Sequence, residues 1–123
     1  MSLPKAHRLR RRQDFQQVYQ YGKRDQQPHL TLRSLQYLPS TTAENLPATR
    51  FGISVSKTVS KKAVTRNLLK RQVKAALRQL LPQIASGWSV VIGVRPSAQG
   101  CEYLEILREL EKLLVAAGVI DGH

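Results

Sequence analysis

The segment at residues 63–81 constrains the fold more than any other, because helical geometry gives it two unlike faces. At about 100° per residue, its large apolar side chains fall within one arc roughly 100° wide, which is a normal core-facing stripe. This stripe contains Leu69, Val73, Ala76, Leu77 and Leu80. The adjacent arc contains Asn67, Lys70, Arg71, Lys74 and Arg78. The pattern predicts a central helix with one face against a core and a cationic face beside it.

Cations also follow each other at four-residue intervals along this helix. The row consists of Lys62, Arg66, Lys70, Lys74 and Arg78. Each like-charged i, i+4 pair destabilises the helix by about 0.2–0.5 kcal/mol, and no glutamate in the segment offsets that repulsion. Because a merely solvated face normally mixes both signs, the row indicates a surface that binds a polyanion.

The chain as a whole shares this positive charge. Its 123 residues fit one domain, 1–123, and they carry 20 Lys and Arg against 8 Asp and Glu, a formal charge of +12. No acidic residue lies between positions 45 and 101. Ordinary surfaces mix both signs, so this distribution favours nucleic acid as the partner, with an anionic membrane surface as the second choice.

Cysteine content and hydropathy predict a cytoplasmic protein. Cys101 is the only cysteine, so no internal disulfide can form, which fits a reducing compartment. The basic opening residues are not followed by an apolar signal segment, and no apolar run reaches the length of a membrane span. We therefore expect the protein to be neither secreted nor transmembrane. The favoured partner is nucleic acid, and under that interpretation we expect no membrane partner and no small-molecule substrate.

Periodicity and turn residues define the remaining elements. They predict a helix over Arg12–Tyr21, strands over 29–38, 50–56 and 88–95, and a last helix over 102–117 that ends at Gly118. The alternation in strand 29–38 slips once, which a bulge or an early end would explain. Residues 39–49 are polar with two prolines and suit an exposed loop between neighbouring strands. The apolar side of the last helix is predicted to contain Leu104, Leu107, Leu110, Leu113 and Leu114.

No group of residues has the spacing of a catalytic or metal site within the protein. The histidines are too far apart in the sequence to suggest a catalytic triad or a set of metal ligands. They are His7, His29 and His123. Several glutamates follow helical spacing near the end of the chain, namely Glu102, Glu105 and Glu109. A solvated helix face explains them better than a metal site does.

Short polar and basic residues precede the central helix. They are Ser56, Lys57, Ser60, Lys61 and Lys62. Free backbone N–H groups and the helix dipole favour phosphate at such a position, and Ser60 is also an ordinary capping candidate. Four arginines lie near the N-terminus, namely Arg8, Arg10, Arg11 and Arg12. They either add nonspecific positive charge to the binding surface or form a flexible basic tail.

The stretches FGISVSK and KKAVTRNLLKRQVK resemble the signature of the bacterial ribonuclease P protein subunit. The family's pattern has a lysine at a strand end, then alanine, Arg-Asn-Arg and a Lys-Arg pair. The matching positions are Lys57, Ala63, Arg66, Asn67, Lys70 and Arg71. Leu68 stands where the family has its second arginine. HRLRRRQDFQQVYQYG and VVIGVRPSA extend the resemblance over nearly the whole chain.

This resemblance implies an accessory protein subunit of an RNA enzyme. In that family the RNA subunit hydrolyses precursor tRNA to give the mature 5′ end, with magnesium expected for the RNA-catalysed reaction and no cofactor bound by the protein alone. The protein binds the RNA subunit and the 5′ leader of precursor tRNA. The RNA-subunit contacts are expected at Lys57, Lys61, Lys62, Arg66, Asn67, Lys70, Arg71 and Lys74. The leader contacts are expected at Phe15, Tyr19 and Arg33, although helical spacing also suits Phe15 as a core residue.

The fold class predicted from the element order is an α/β (α+β) two-layer sandwich. It has a sheet of about four strands in the order α-β-β(-β)-α-β-α, and the central helix crosses between two parallel strands. Such crossovers are usually right-handed. The resemblance instead implies a ribosomal-protein-S5-like fold with a left-handed crossover.

Other functions fit the same composition. A non-enzymatic RNA- or DNA-binding module, such as a ribosome-associated protein, would use the same basic helix on a different nucleic acid. A nuclease that acts without RNA is a second alternative. A membrane-surface peptide is the weakest alternative, because the helix needs its apolar stripe for a core.

Overall fold

A computed structural model describes residues 3–36 and 48–120 and shows three α-helices around a four-stranded sheet. In chain order the elements are α1 (Arg12–Tyr21), β1 (Lys23–Gln26), β2 (Leu30–Gln36), β3 (Arg50–Ser54), α2 (Ala63–Leu80), β4 (Trp88–Val94) and α3 (Tyr103–Ala117). Short 3-10 turns occupy Lys5–His7, Leu81–Gln83 and Pro96–Ala98. The predicted α+β class and element order are confirmed. The predicted loop at 39–49 lies outside the described residues except for its last two positions.

The sheet is mixed, with the strand order β1-β2-β4-β3. β2 is antiparallel to both β1 and β4, and β3 is parallel to β4. Because β3 and β4 are consecutive along the chain and parallel, α2 is the crossover between them, as predicted. The handedness of that crossover stays a prediction.

Strand β2 has no bulge between Leu30 and Gln36, so the first of the two explanations for the slip was wrong. Its pairing with β4 is continuous from Leu30 opposite Val94 to Gln36 opposite Trp88. Leu30 and Leu32 are buried on one face of the sheet, whereas Leu35 faces the other way and packs against α1. The periodicity slips in the sequence because both faces of this strand are covered, each by a different helix.

One face of the sheet carries the main core, which α2 and α3 close. All five residues predicted for the α2 stripe are buried, from Leu69 to Leu80. In α3 the stripe is rotated from the prediction, because Ile106 is buried whereas Leu104 is exposed. Gly118 ends α3 at a φ of 86°, a left-handed conformation that glycine adopts without strain. Truncating a side chain in this core, such as Leu77, is expected to cost about 2–5 kcal/mol of unfolding free energy.

The opposite face is partly covered by α1 and by the segment before it. Val18 is fully buried there, in a small cluster with Leu9 and Val91. The backbone N–H of Leu9 donates to the carbonyl of Phe51 at 2.9 Å, so this segment lies along the outer edge of β3. In the described part of the chain, no helix is long and apolar enough to cross a membrane.

Candidate nucleic-acid interface

The polar face of α2 carries cations that have no acidic partner. Lys62, Asn67 and Arg71 are exposed, while Arg66, Lys70 and Lys74 are half-buried. Within residues 3–36 and 48–120, none of these cations forms an ion pair with a carboxylate; the ion pairs of Lys23 and His29 lie elsewhere. The positive charge of this face is therefore not neutralised by the described part of the fold.

The N-terminus of α2 adds to this positive potential. The helix begins after Lys62, which provides no side-chain cap, and its first turn contains no acidic residue. The N–H groups of the first turn therefore point away from the helix without a side-chain acceptor, which favours an anion. Ser60 was predicted as a cap, but its hydroxyl accepts the N–H of Lys62 at 3.2 Å, one residue before the helix.

The loop at residues 55–62 is held against the rest of the protein at two points. The Arg66 guanidinium donates to the carbonyl of Ser60 at 2.7 Å. Val59 is buried, and the side-chain amide of Gln99 donates to its carbonyl. Lys57 and Lys61, predicted as RNA contacts, are exposed and line a shallow depression beside this anchored loop. The fold therefore fixes where these two cations lie.

Leu68 is 54% exposed on the same helix. Val64, one turn earlier, is 80% exposed, so both apolar side chains lie outside the core. The replacement of the family's arginine by leucine is therefore not compensated by packing. Position 68 therefore lies outside the core, on the helix on which RNA contacts were expected.

A groove of about 360 Å³ runs along the outer edge of β3. Its lining includes Phe15 from α1, Lys70 and Lys74 from α2, and Arg8 and Arg10 from the N-terminal segment. The sequence placed Phe15 on a leader surface and the two lysines on an RNA-subunit surface. The structure brings the three side chains to one groove, so the two predicted surfaces meet there.

Phe15 also packs inside the protein, which is the alternative that the sequence left open for it. Its ring is half-buried beside Val18 and Val91 and lies over Gly52. A side chain at position 52 would collide with this ring. The ring is only partly buried and also lines the groove.

Tyr19 and Arg33 are in direct contact on the α1 side of the sheet. The Arg33 guanidinium lies 5.1 Å from the centre of the Tyr19 ring, and it also donates to the Tyr19 carbonyl at 3.3 Å. Tyr19 is nevertheless 45% exposed. Arg33 thus stabilises one face of an aromatic ring whose remaining surface is accessible to solvent.

The N-terminal arginines are part of the described fold from Arg8 onward. The Arg8 side chain donates to the carbonyl of Leu3 at 2.8 Å. Arg10 and Arg11 line a second cleft of about 220 Å³ together with Arg50. The interpretation as a flexible tail is wrong for these residues, because Leu9 packs between them in the small cluster.

One grouping of reactive side chains was missed at the sequence level. His29, Cys101 and Glu105 lie together, with Glu109 beside them. Burial, followed by the charge of Glu105, raises the pKa of the Cys101 thiol. Three of the four residues follow each other at four-residue intervals, namely Cys101, Glu105 and Glu109. His29 comes from a distant part of the chain, so the sequence gave no signal that it joins them.

The fold and the unpaired cationic face together define a small RNA-binding α+β protein. The family model for ribonuclease P matches residues 3–118. The ribonuclease P protein component of Microcystis aeruginosa is 55% identical over 124 residues, which cover 100% of each chain. That of Picosynechococcus sp. is 48% identical over 123 residues, again with 100% of each chain covered.

Solved structures agree with these relatives. The RNase P protein of Staphylococcus aureus superimposes with a TM-score of 0.78 at 28% identity, covering 94% of this chain and 99% of that chain. The RNase P protein of Thermotoga maritima gives a TM-score of 0.74 at 26% identity, covering 88% and 94%. This chain therefore belongs to the ribonuclease P protein family. It is a protein subunit of ribonuclease P, the tRNA-processing endoribonuclease, and the RNA subunit of that enzyme is its partner.

Proposed function

We propose that the cationic face of α2 and the loop at 55–62 bind the RNA subunit, whereas Tyr19 and Arg33 bind the 5′ leader of precursor tRNA. Phe15 lies in the groove between these two surfaces and would contact the leader where it approaches α2. This proposal rests on the arrangement of charge, since the cations of α2 have no acidic partners in the described structure while Tyr19 presents an accessible ring.

The proposed RNA-subunit surface combines side-chain and backbone charge. Its residues are Lys57, Lys61, Lys62, Arg66, Asn67, Lys70, Arg71 and Lys74. Phosphates bound there would relieve the i, i+4 repulsion along α2 and would release counterions from the RNA. The uncapped helix N-terminus beside the loop favours a phosphate for the same electrostatic reason. Asn67 adds both a donor and an acceptor to an otherwise cationic surface.

The proposed leader surface is suited to a single strand. An accessible aromatic ring is a stacking platform for any base, and stacking contributes about 1–3 kcal/mol per base. Arg33 fixes the Tyr19 ring from one side, so less conformational entropy is lost when a base stacks on it. Lys70 and Lys74, which we assign to the RNA subunit, also line the groove beside Phe15, so a leader strand in that groove would run next to the RNA-subunit surface.

The cleavage itself is expected to depend on the RNA subunit and on magnesium held at the RNA. Metal-assisted phosphodiester hydrolysis by protein side chains normally uses clustered carboxylates. The carboxylates of α3 lie on the helix that is packed with α2 around the core, and none is on the cationic face. The role left to the protein is to bind and position two RNA molecules, and we expect it to act in the cytoplasm with them.

A reconstitution experiment tests this division of roles. The chain is combined with ribonuclease P RNA, and the affinity for precursor tRNA is compared between substrates with a long leader and with a leader of one nucleotide. Tyr19→Ala is expected to reduce the affinity for the long-leader substrate by about 5- to 100-fold, the loss of one stacked base. The affinity for the short-leader substrate should not change.

Tyr21→Ala is the matched control, because Tyr21 is on the same helix and is 68% exposed without contacting Arg33. It should leave both affinities unchanged. The leader assignment would be contradicted if both variants lost the same affinity for precursor tRNA. It would also be contradicted if the affinity lost in Tyr19→Ala did not depend on leader length.

A further inference from the structure

Four side chains with metal-binding atoms meet at one end of α3. One ligand atom each from His29, Cys101 and Glu105 lies within 4.8 Å of the other two. The Nε2 atom of His29 is 3.8 Å from a carboxylate oxygen of Glu105 and 3.7 Å from one of Glu109. In a tetrahedral zinc site with bonds of about 2.0–2.3 Å, ligand atoms are separated by about 3.3–3.7 Å. A contraction of about 1 Å or less would therefore bring the first three atoms to coordination distance.

The orientation of the His29 ring is fixed on the side away from this cluster. Its Nδ1 atom is 3.0 Å from the hydroxyl oxygen of Ser97. That hydroxyl donates its own hydrogen to the carbonyl of Pro28 at 2.8 Å, so it can only accept from His29. The proton of neutral His29 is therefore on Nδ1, and the lone pair of Nε2 is directed at two carboxylates.

An imidazole lone pair beside two carboxylates favours a positive charge between them. A second proton on His29 would supply one, as in a simple ion pair. A divalent metal ion would supply more positive charge than a proton does. It would also use the Cys101 thiol, which an ion pair does not need. A hydrogen bond that orients the far nitrogen of a histidine is also the usual support for a metal-ligating imidazole.

We propose that His29, Cys101 and Glu105 bind a zinc ion, with Glu109 as the fourth ligand. A mixed set of imidazole, thiolate and carboxylate suits zinc, whereas magnesium and calcium prefer oxygen ligands alone. Glu109 is positioned for this by its other carboxylate oxygen, which accepts the backbone N–H of His29 at 2.9 Å. The Cys101 thiol loses its proton to solvent on binding, and the resulting thiolate coordinates the ion.

This site differs from the sequence-level expectation that the protein alone binds no metal. It also has no part in the cleavage reaction. The ion would join the start of β2, the segment after β4 and the first half of α3. The side-chain amide of Gln99, two residues before Cys101, donates to the carbonyl of Val59 in the loop at 55–62. Zinc would therefore stiffen the support of that loop and raise the thermal stability of the chain.

Cobalt(II) is the probe for this site, because it replaces zinc and is visible by absorption. The full chain, treated first with EDTA, is titrated with Co²⁺ and then with Zn²⁺. The expected result is one equivalent of Co²⁺ with the intense visible bands of tetrahedral coordination and an ultraviolet thiolate-to-cobalt band, both lost when Zn²⁺ displaces it. Zn²⁺ should also raise the melting temperature.

Two variants and one control test the assignment of the ligands. Cys101→Ser should abolish the thiolate band, and His29→Ala should weaken Co²⁺ binding by at least about 100-fold, more than the loss of an outer-shell partner. Glu111→Gln is the matched control, since Glu111 is exposed on the same helix outside the cluster, and it should bind Co²⁺ like the unmodified chain. Failure of the unmodified chain to bind Co²⁺, or binding without the thiolate band, would overturn the proposal.

Discussion

The ring of Phe15 rests on Gly52, so that α1 approaches β3 more closely than any side chain at position 52 would permit. This contact joins the helix that carries Tyr19 to the strand whose edge forms the groove. The position of the proposed leader surface relative to α2 therefore depends on the absence of a Cβ at residue 52.

Gly52→Ala is expected to displace the Phe15 ring. Inserting a methyl group into such a tight contact should lower the free energy of unfolding by about 1–3 kcal/mol, measured by urea denaturation. The affinity of the reconstituted enzyme for long-leader precursor tRNA should fall as well. Ser54→Ala, two residues along the same strand, should change neither quantity, and an unaffected Gly52→Ala variant would show that the ring can move without consequence.

Leu68→Arg is expected to strengthen binding to the RNA subunit. Leu68 is exposed beside the cationic face, so the longer side chain needs no repacking and should leave the unfolding free energy within about 0.5 kcal/mol. One added phosphate contact should make the slope of log affinity against log salt more negative by about 1. Leu104→Arg is the control, since Leu104 is similarly exposed but lies on α3. An equal gain from Leu104→Arg would indicate a nonspecific effect of charge.

Arg66→Ala is expected to lower the stability of the protein more than Arg71→Ala does. Because the Arg66 guanidinium donates to the Ser60 carbonyl at 2.7 Å, its loss should destabilise the loop at 55–62 and cost about 1–2 kcal/mol of unfolding free energy. Arg71 is exposed and should cost less than about 0.5 kcal/mol. Chemical denaturation of the two variants compares these values. Equal stability would mean that the Arg66 contact contributes nothing.

The affinity for the RNA subunit should depend steeply on salt. If about six phosphates are contacted, the slope of log affinity against log monovalent salt should be about −4 to −5. A filter-binding or anisotropy titration at constant magnesium concentration measures it. A slope near zero would remove the electrostatic basis of the proposed interface.

Much of the fold could be predicted from periodicity. The bounds of α1 were predicted without error, and α2 ends one residue earlier than expected. β1 was not predicted as a separate strand because Lys23–Gln26 contains no apolar residue, and its register comes only from pairing with β2 at the edge of the sheet. The slip in the alternation of β2 was attributed to a bulge or an early end, because sequence alone does not reveal that helices cover both faces of this strand.

The candidate site was predictable only where it lies on one helix. The cationic face of α2 follows from helical geometry, which the sequence contains. The contact of Arg33 with Tyr19 and the groove shared by Phe15 and Lys70 depend on how separate elements pack. The grouping of His29 with the glutamates of α3 likewise depends on the packing of separate elements, and no local sequence pattern predicts it.

The most direct test of the two-surface account removes two charges from the proposed RNA-subunit surface, at the N-terminus of α2 and within it, and measures the affinities for the RNA subunit and for precursor tRNA. Lys62 and Arg71 are exposed and lie outside the groove that contains Phe15. The double variant Lys62→Ala, Arg71→Ala is compared with Arg108→Ala, Lys112→Ala, which removes the same charge from exposed positions on α3.

We predict that the α2 double variant binds the RNA subunit about 10- to 100-fold more weakly, with a salt slope less negative by about 1 to 2. Its ratio of affinities for long-leader and short-leader precursor tRNA, measured with saturating RNA subunit, should stay unchanged, and the α3 variant should match the unmodified chain in both measurements. An unchanged affinity of the α2 variant for the RNA subunit, or equal losses in the two double variants, would contradict the assignment of α2 as the RNA-subunit surface.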